Sequence, residues 1–432
     1  MSRCRALMIS APASGQGKTT LTAALARRAR QQGLRVRVFK TGADFLDPML
    51  LEAASGAPVH QLDLWMCGEA QCRHLLAEAA REAELILVEG VMGLYDGEPS
   101  SADLAQCFDL PVLALIEAGA MAQTFAALAH GLRSFRTGLR FHGVFANGVG
   151  SAAHAQLLQD ALPADLPLCG WLAHAAELSL PQRHLGLVQA RELPDLDRRL
   201  DALARALQAL PAFDTLPLLD FTAPAAPAQH AMLENLRIGI ARDEAFAFVY
   251  PANPELLQAM GARLSEFSPL HDAGLPQVDA LYLPGGYPEL HASRLARNTA
   301  LLTALREHHA RGKPLLAECG GMMLLCEQLV DADHQAHPMA GLLPARALMQ
   351  PRLQALSLQS LALPDGELRG HSFHYSTLQT RQPAARQART AQNQPGEAVF
   401  QTRGLTASYL HFYLPSCPPA AASLFRPCAA AH

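Results

Sequence analysis

The sequence predicts an α/β protein of two domains, each built on a β-sheet covered by helices. The chain has 432 residues, which is long for a single hydrophobic core. In both halves, short runs of β-branched and other apolar residues alternate with segments of helical periodicity. A stretch rich in proline and alanine, residues 211–235, lies between the halves and has the composition of a linker.

The first domain is predicted to span residues 1–210 and to contain a doubly wound parallel sheet. Its strands are predicted at Ala6–Ser10, Val36–Phe39, Leu85–Val88, Val112–Ile116 and Gly143–Ala146. Helices are predicted between them, for example at Leu21–Gln32 and Ala70–Ala83. Because parallel strands need crossover connections, this alternation places helices on both faces of the sheet.

The second domain is predicted to span residues 236–432 and repeats the alternation at its start. Strands are predicted at Arg237–Ala241, Ala280–Leu283 and Pro314–Ala317, and helices at Glu255–Leu264 and Thr299–Ala310. The region from about Gly341 to Leu414 is richer in strand and turn residues. Residues after Pro418 are interpreted as a loose tail.

Composition argues against several classes of partner. Half of the residues are hydrophobic and 17% are charged, as in ordinary globular proteins. A net charge of −4 provides no basic surface for nucleic acid, and no apolar stretch is long enough to span a bilayer. The nine cysteines are scattered without CxxC spacing, which argues against a disulfide framework and a zinc site. The chain starts in an apolar strand without a signal peptide, so we expect a cytoplasmic protein.

A glycine-rich loop between the first strand and the first helix predicts a site for ATP and Mg²⁺. The residues expected to surround the phosphates are Ser14, Gly15, Gly17, Lys18, Thr19 and Thr20. Lys18 is expected to reach the β- and γ-phosphates, and the Thr19 hydroxyl can ligate Mg²⁺. Pro12 occupies a position where the standard spacing has glycine, so the loop is a variant of the phosphate-binding pattern.

Acidic residues and one lysine follow the next strands of the predicted sheet. They are Lys40, Asp44 and Asp47 after the second strand, and Glu89 and Asp96 after the third. Because carboxyl ends of parallel strands meet in one crevice, these side chains are expected near the nucleotide phosphates. Carboxylates around a lysine and a metal suit phosphoryl transfer. The chain has only three lysines, and two of them lie in these motifs, which indicates that a compact ammonium is required there.

Cys319 is the candidate nucleophile of the second domain. It follows the strand Pro314–Ala317 in a strand–turn–helix pattern, which exposes a side chain at a helix N-terminus and lowers the pKa of a thiol. The backbone N–H of Gly320 is a candidate oxyanion donor. A second N–H is expected from Gly286 in the turn Leu283–Glu289.

His411 is the candidate base for this cysteine. It lies on a late predicted strand, within Ser408–Tyr413. His371 and His374 are alternatives, and His411 is ranked first because of its position late in the domain.

On these residues the chain resembles the cobyrinate (or hydrogenobyrinate) a,c-diamide synthases, enzymes of corrin assembly for cobalamin. The resemblance covers both domains in the same order. It rests on the variant phosphate loop and on Lys40–Pro48, Glu89–Gly97, Gln182–Leu187, Leu283–Glu289, Ala317–Gly321 and Ser408–Tyr413.

The resemblance implies a reaction for each domain. The C-terminal domain, similar to class I glutaminases, is implied to hydrolyse glutamine through a thioester on Cys319. The N-terminal domain, similar to dethiobiotin synthetase, is implied to use ATP and Mg²⁺ to activate the c and then the a carboxylate of the corrin acid as acyl phosphates. Ammonia is implied to pass internally between the two and to displace phosphate.

The resemblance also implies roles for individual residues. Thr19, Asp44 and Glu89 correspond to ligands of the metal or phosphates, and Lys40 to the group that neutralises the transferring phosphoryl. Asp47 and Asp96 correspond to residues that handle the substrate carboxylate or the intermediate. The residues that bind the macrocycle are not fixed by the sequence, and Arg183 and His184 are candidates for them. Two positions depart from the pattern. Ala43 stands where the family often has proline, and Tyr413 stands where class I glutaminases usually carry an acid. A Cys–His dyad, or a third member from elsewhere, is therefore expected.

Other readings of the same motifs remain open. One alternative is amidation of another tetrapyrrole, of the nickel-sirohydrochlorin or cobyric acid type. The nickel-tetrapyrrole enzyme shares the same motifs, whereas cobyric acid synthase differs in its phosphate loop and is usually longer. A partition-type ATPase switch would have an extra lysine five residues before the main one, where this chain has Ala13. A pseudoenzyme scaffold is disfavoured because the expected reactive groups are present. The motifs favour the metal-free corrin acid over the cobalt form, and the sequence leaves a homodimer open.

Overall fold

The structure is a computed structural model that describes residues 2–174, 182–183, 186–187, 190–210, 212–223 and 231–427. The chain divides into two compact units, Met1–Ala226 and Pro227–His432. In the described residues, no helix is both long and apolar enough to cross a bilayer.

The first unit contains ten strands and seven α-helices among its described residues. The strands are β1 Ser2–Ser10, β2 Val36–Thr41, β3 His60–Leu62, β4 Leu85–Glu89, β5 Val112–Glu117, β6 Phe141–Val149, β7 Leu168–Ala173, β8 Gln182–Arg183, β9 Gly186–Leu187 and β10 Leu218–Phe221. The helices are α1 Lys18–Gln31, α2 Leu46–Ser55, α3 Glu69–Glu82, α4 Ser101–Cys107, α5 Thr124–Ser134, α6 Ala152–Ala161 and α7 Leu196–Ala206.

The main sheet of this unit has the order β3-β2-β4-β1-β5-β6-β7, and these strands all run parallel. The order reverses direction at β1, as in doubly wound folds, so the predicted fold class is confirmed. The central strands are buried apolar runs, because helices cover both faces. This arrangement places the carboxyl ends of β1, β2 and β4 side by side.

One strand lies inside the stretch interpreted as a linker. β10 pairs antiparallel with the start of β1, with Ser2 opposite Phe221 and Arg5 opposite Leu218. Leu219 and Phe221 are buried, whereas Leu218 and Asp220 face solvent. This short alternation of buried and exposed residues was not predicted as a strand, because prolines and alanines surround it in the sequence.

The second unit contains fourteen strands and five α-helices among its described residues. The strands are β11 Arg237–Ala241, β12 Arg263–Phe267, β13 Ala280–Leu283, β14 Leu315–Glu318, β15 Cys326–Val330, β16 Ala336–Pro338, β17 Leu343–Met349, β18 Ala355–Leu363, β19 Gly366–His374, β20 Ser376–Thr380, β21 Arg386–Thr390, β22 Pro395–Thr402, β23 Leu405–Ser408 and β24 Leu410–Tyr413. The helices are α8 Ala252–Ala259, α9 Ala292–Arg297, α10 Thr299–Ala310, α11 Gly320–Leu325 and α12 Pro418–Ser423.

Ten of these strands form one mixed sheet in the order β12-β11-β13-β14-β23-β22-β21-β18-β19-β24. The strands from β12 to β23 are parallel, and every pairing from β23 onward is antiparallel. A second sheet has the order β16-β15-β17-β20. The region from residue 341 onward is thus mainly β-structure, as the sequence indicates.

Two local predictions for this unit are wrong. The helix predicted at Glu255–Leu264 ends at Ala259, because Gly261 adopts a left-handed φ of 94° and the chain enters β12. The residues after Pro418 do not begin as a loose tail. They form α12, in which Ala420–Ala422 are buried, and Phe425 behind it is fully buried.

Candidate functional site

The glycine-rich loop of the first unit leads directly into α1. Gly15 and Gly17 have left-handed φ values of 77° and 96°, which side chains rarely tolerate. A Cβ atom on Gly17 would also lie 2.9 Å from Asn147 Nδ2. The first turn of α1 carries no acidic side chain, so its N–H groups and positive end favour an anion.

The side chains of this loop differ in burial. Lys18 is buried and its Nζ donates to the carbonyl oxygens of Ala13 (2.9 Å) and Met92 (2.6 Å). Burial and the neighbouring Lys40 lower the pKa of Lys18. Ser14 is exposed, and Thr19 and Thr20 are half-buried at the start of the helix. The lysine is therefore held at the rim of the loop where phosphates would lie.

Lys40 is the centre of a buried charge cluster at the ends of β2 and β4. It is 3% exposed, and its Nζ lies 2.6 Å from Glu89, 2.7 Å from Asp47 and 3.6 Å from Asp44. The Thr19 hydroxyl donates to Glu89 Oε1 at 2.7 Å, which connects the cluster to the phosphate loop. The structure thus brings these five predicted residues together.

Burial and the charges of neighbouring groups both shift the pKa values of this cluster. Burial lowers the pKa of Lys40, but the three carboxylates outweigh burial and hold it above its usual value. Burial also raises the pKa of Glu89 and of Asp44, and the Asp47 charge adds to both. The pKa of Asp47 is lowered, because Lys40 and hydrogen bonds outweigh burial. Glu89 Oε2 is buried, and no described residue donates a hydrogen bond to it.

Asp96 lies apart from this cluster. Its carboxylate is exposed and accepts from the Gly93 N–H at 3.0 Å. The Leu94 N–H donates to the Ala11 carbonyl at 2.8 Å, so the loop that carries Asp96 is hydrogen-bonded to the phosphate loop. Asp96 therefore lies beside the loop but makes no ion pair with a described lysine.

Cys319 occupies a sharp turn between β14 and α11. Its φ of 42° and ψ of −105° are unusual for a residue with a side chain, as in nucleophile elbows. The side chain is 6% exposed, and the Cys319 N–H donates to the Ser408 carbonyl at 2.7 Å. Because that N–H already has a partner, it is not available to an oxyanion.

The two predicted oxyanion donors lie close together. A Cβ atom on Gly320 would fall 3.0 Å from the Gly286 backbone nitrogen. A Cβ on Gly286 would fall 2.0 Å from the Ala245 carbonyl oxygen, so this turn accepts only glycine without rearrangement. An oxyanion site needs two N–H groups within reach of one oxygen, and this role of Gly286 and Gly320 stays a prediction.

The three candidate histidines occupy different environments. His411 is buried against the same turn, since a Cβ on Gly285 would lie 2.2 Å from His411 Cε1. His371 lies directly across from it on β19, with ring centroids 5.0 Å apart. His374 instead bonds to Glu397 at 3.0 Å and stacks on the Tyr409 ring. Of the three, His411 is the one whose ring lies against the Gly285–Gly286 turn, and its role as the base stays a prediction.

The pKa values of Cys319, His411, Glu289 and Glu318 are each shifted toward the neutral form of the group. Burial and then the charge of Glu289 raise the pKa of the Cys319 thiol. Burial and the two neighbouring histidines lower the pKa of His411. Burial raises the pKa of Glu289 to about 7 and that of Glu318 to about 8. The helix-terminus argument predicts a lowered thiol pKa, and in this structure desolvation outweighs that effect.

Glu318 is a buried carboxylate beside Cys319 that the sequence motifs did not single out. It is 1% exposed and ends β14, immediately before Cys319. Its carboxylate accepts hydrogen bonds from the Phe412 N–H (3.0 Å) and the Tyr282 hydroxyl (2.9 Å). The sequence did contain a sign of this environment, namely a charged residue at the end of a fully buried parallel strand. A carboxylate buried in this way needs hydrogen-bond donors around it.

The proposed substrate-binding pair remains a prediction. Arg183 lies in β8, which pairs with β9, but its side chain is outside the described part of the structure. His184 also lies outside the described residues.

Comparisons with known proteins agree with this two-part arrangement. A model of the CobQ/CobB/MinD/ParA nucleotide binding domain matches residues 7–187, and a model of the CobB/CobQ-like glutamine amidotransferase domain matches residues 237–418.

Similarity also extends over the full chain. A protein of Pseudomonas aeruginosa named hydrogenobyrinate a,c-diamide synthase is 59% identical over 426 residues, with 98% of each chain covered. One of the same name from Stutzerimonas stutzeri is 58% identical, over 98% of this chain and 99% of the relative. A cobyrinate a,c-diamide synthase of Herminiimonas arsenicoxydans is 49% identical, over 98% and 97%. The resemblance inferred from the motifs is confirmed, and the chain belongs to the cobyrinate and hydrogenobyrinate a,c-diamide synthase family.

Proposed function

We propose that the chain amidates the a and c carboxylates of hydrogenobyrinic or cobyrinic acid, using ATP and glutamine. One observation carries this proposal: the same chain holds a buried lysine–carboxylate cluster beside a phosphate loop and a cysteine elbow beside paired backbone donors. The metal-free acid is the preferred substrate in this proposal, since the relatives at 59% and 58% identity are both named for hydrogenobyrinate.

The first unit activates the carboxylate. A carboxylate oxygen attacks the γ-phosphorus of ATP, and the bond between that phosphorus and the β–γ bridging oxygen breaks. ADP departs, and the substrate carboxylate has become an acyl phosphate. The loop N–H groups and Lys18 hold the phosphates, and Lys40 neutralises the charge of the transferring group. Asp47, which pairs with Lys40, and Asp96, beside the loop, orient the substrate carboxylate and the intermediate.

The residues of this cluster fit a magnesium ion. Thr19, Asp44 and Glu89 would hold it, since hard oxygen ligands suit Mg²⁺ and Glu89 Oε2 has no donor among the described residues. No group of three or more His, Cys, Asp or Glu in the described residues could hold a metal by itself, so phosphate oxygens and water would complete the ligand set. When bound, Mg²⁺ neutralises charge on the β- and γ-phosphates.

The second unit supplies ammonia. The Cys319 sulfur attacks the side-chain amide carbon of glutamine while His411 accepts the thiol proton and returns it to the leaving ammonia. The N–H groups of Gly286 and Gly320 stabilise the oxyanion. Water then hydrolyses the thioester and releases glutamate.

Amide formation completes the reaction in the first unit. Ammonia attacks the acyl carbon, the bond to the phosphate oxygen breaks, and inorganic phosphate leaves. Each cycle consumes one ATP and converts one carboxylate into a primary amide.

The substrate and the acyl phosphate are tested together. Hydrogenobyrinic and cobyrinic acids, with heavy oxygen in their carboxylates, are offered separately with ATP, Mg²⁺ and glutamine, and products are followed by mass spectrometry. We expect two amidations, faster on the metal-free acid, and one heavy oxygen in the phosphate released at each step. Absence of the label from phosphate would contradict the acyl phosphate, and amidation of neither acid would contradict the substrate.

A further inference from the structure

The strand that carries His411 is the last strand of its sheet. β24 pairs with β19 on one edge, where Arg369 lies opposite Tyr413 and His371 lies opposite His411. Backbone groups of alternate residues in a strand point to opposite edges. The Phe412 N–H and carbonyl point to the edge away from β19, since both bond to side chains outside that strand. Leu414 is the first residue after β24.

At that outer edge, two buried side chains form the hydrogen bonds that a neighbouring strand would otherwise form. Glu318 accepts from the Phe412 N–H at 3.0 Å. Asn253, which is fully buried in α8, donates to the Phe412 carbonyl at 2.8 Å and accepts from the Leu414 N–H at 2.8 Å. Backbone groups that would otherwise be buried without partners are thereby satisfied.

A tyrosine joins the two side chains into one network. The Tyr282 hydroxyl donates to Glu318 at 2.9 Å and accepts from Asn253 at 3.2 Å. Every member is buried, and such networks fix one arrangement of the groups they connect. Glu318 precedes Cys319 in the chain, and Phe412 follows His411, so a single hydrogen bond ties the positions next to both reactive residues.

We propose that Glu318 is a positioning residue of the glutaminase reaction, holding the strand of His411 at a fixed distance from Cys319 through its hydrogen bond to the Phe412 N–H. The proposal rests on the glutaminase role assigned to Cys319 and His411 above. Class I glutaminases usually carry an acid at the position where this chain has Tyr413, and Glu318 would take over the function of that acid. Here an acid acts on the backbone beside the histidine, from the residue before the nucleophile.

A merely structural role for Glu318 is distinguishable from this one. A structural carboxylate would contribute to folding of the whole unit, and its loss would lower stability without a particular effect on turnover. A positioning carboxylate changes the alignment of Cys319 and His411, so its loss lowers kcat for glutamine while leaving KM near its original value. Misplacement of catalytic groups by about 1 Å costs on the order of 100-fold in rate.

The test compares two substitutions and a control in the full chain. Glu318→Leu removes the acceptor, Glu318→Gln keeps one carbonyl oxygen for the Phe412 N–H, and His308→Leu removes another buried hydrogen bond of the same unit, from His308 to the Pro314 carbonyl. Glutamine-dependent and ammonia-dependent synthesis, the kcat and KM for glutamine, and thermal melting are measured for each.

We expect Glu318→Leu to lower the glutamine-dependent kcat by about 100-fold with little change in KM or ammonia-dependent synthesis, and Glu318→Gln to stay within about 10-fold of the original. Two results would overturn the proposal: a kcat of Glu318→Leu within twofold of His308→Leu, or equal impairment of the Leu and Gln variants. A wrong glutaminase assignment gives a different result: the unmodified protein would then use glutamine no better than a Cys319→Ala variant.

Discussion

The two candidate sites use electrostatics in opposite ways. In the first unit, Lys40 is held among three carboxylates, with two oxygens within 2.7 Å of its nitrogen. In the second unit, burial shifts the pKa values of Cys319 and His411 toward their neutral forms. One site concentrates paired charge, and the other excludes charge until the reaction creates it.

This difference follows from the chemistry proposed for each site. Phosphoryl transfer moves a group that is already highly charged, so fixed cations and metal-binding oxygens are useful before the reaction begins. Attack of a thiol on an amide develops charge only during the step, so preorganised N–H donors in a dry site are more effective. Substitutions in the two units should therefore fail in different assays.

The largest effect is expected from Lys40→Met. Loss of the ammonium leaves the buried Glu89 and the half-buried Asp47 without their cation, which should lower the free energy of unfolding by about 3 kcal/mol. Synthesis should fall by about 1,000-fold or more with either glutamine or ammonia as donor. Product formation by mass spectrometry and denaturant unfolding measure the two effects.

A matched control for that variant is Lys313→Met, which removes a lysine that donates to the Val278 carbonyl in the other unit. It should retain ammonia-dependent synthesis. Retention of synthesis by Lys40→Met would contradict a charge-based mechanism in the first unit.

A smaller and more selective effect is expected from Gly285→Ala. The added methyl would lie 2.2 Å from His411 Cε1, so the imidazole must move. We expect about a 100-fold loss of glutamine-dependent synthesis and unchanged ammonia-dependent synthesis. Gly274→Ala is the control, because a Cβ there meets no atom within 4 Å. Equal rates in the two alanine variants would show that His411 does not act at this turn.

The smallest effect concerns the pH dependence of Cys319 alkylation. Because burial raises the thiol pKa, the thiolate fraction should increase by about tenfold per pH unit from neutral pH upward. The measurement is the rate at which iodoacetamide modifies the peptide containing Cys319, followed by mass spectrometry. A rate that levels off below pH 8 would instead indicate a preformed thiolate–imidazolium pair and would remove the contrast between the sites.

The sequence predicts features that depend on local pattern. The strand–helix alternation of the first unit and the loop before Lys18 follow from periodicity and glycine placement. The ends of β2 and β4 were predicted one or two residues early, at Phe39 and Val88, whereas the strands run to Thr41 and Glu89. The meeting of Lys40 with Glu89 follows as well, because neighbouring parallel strands end at the same edge.

Features that depend on tertiary contacts were not predictable in the same way. The β10 strand is stabilised by pairing with β1, more than 200 positions away, and its own composition resembles a linker. The hydrogen bond from the Phe412 N–H to Glu318 joins residues 94 positions apart in the chain, and strand and helix patterns do not report such a contact. The strand–turn–helix pattern predicted an exposed Cys319 with a lowered thiol pKa, whereas tertiary packing buries the side chain and raises that pKa.

The division of labour between the two units is tested most directly with Cys319→Ala. The variant is assayed with the corrin acid, ATP and Mg²⁺, once with glutamine and once with an ammonium salt at the same pH. We predict that glutamine-dependent amidation falls by about 1,000-fold or more while ammonia-dependent amidation matches the unmodified protein. Loss of both activities in a folded variant, or retention of both, would contradict the account.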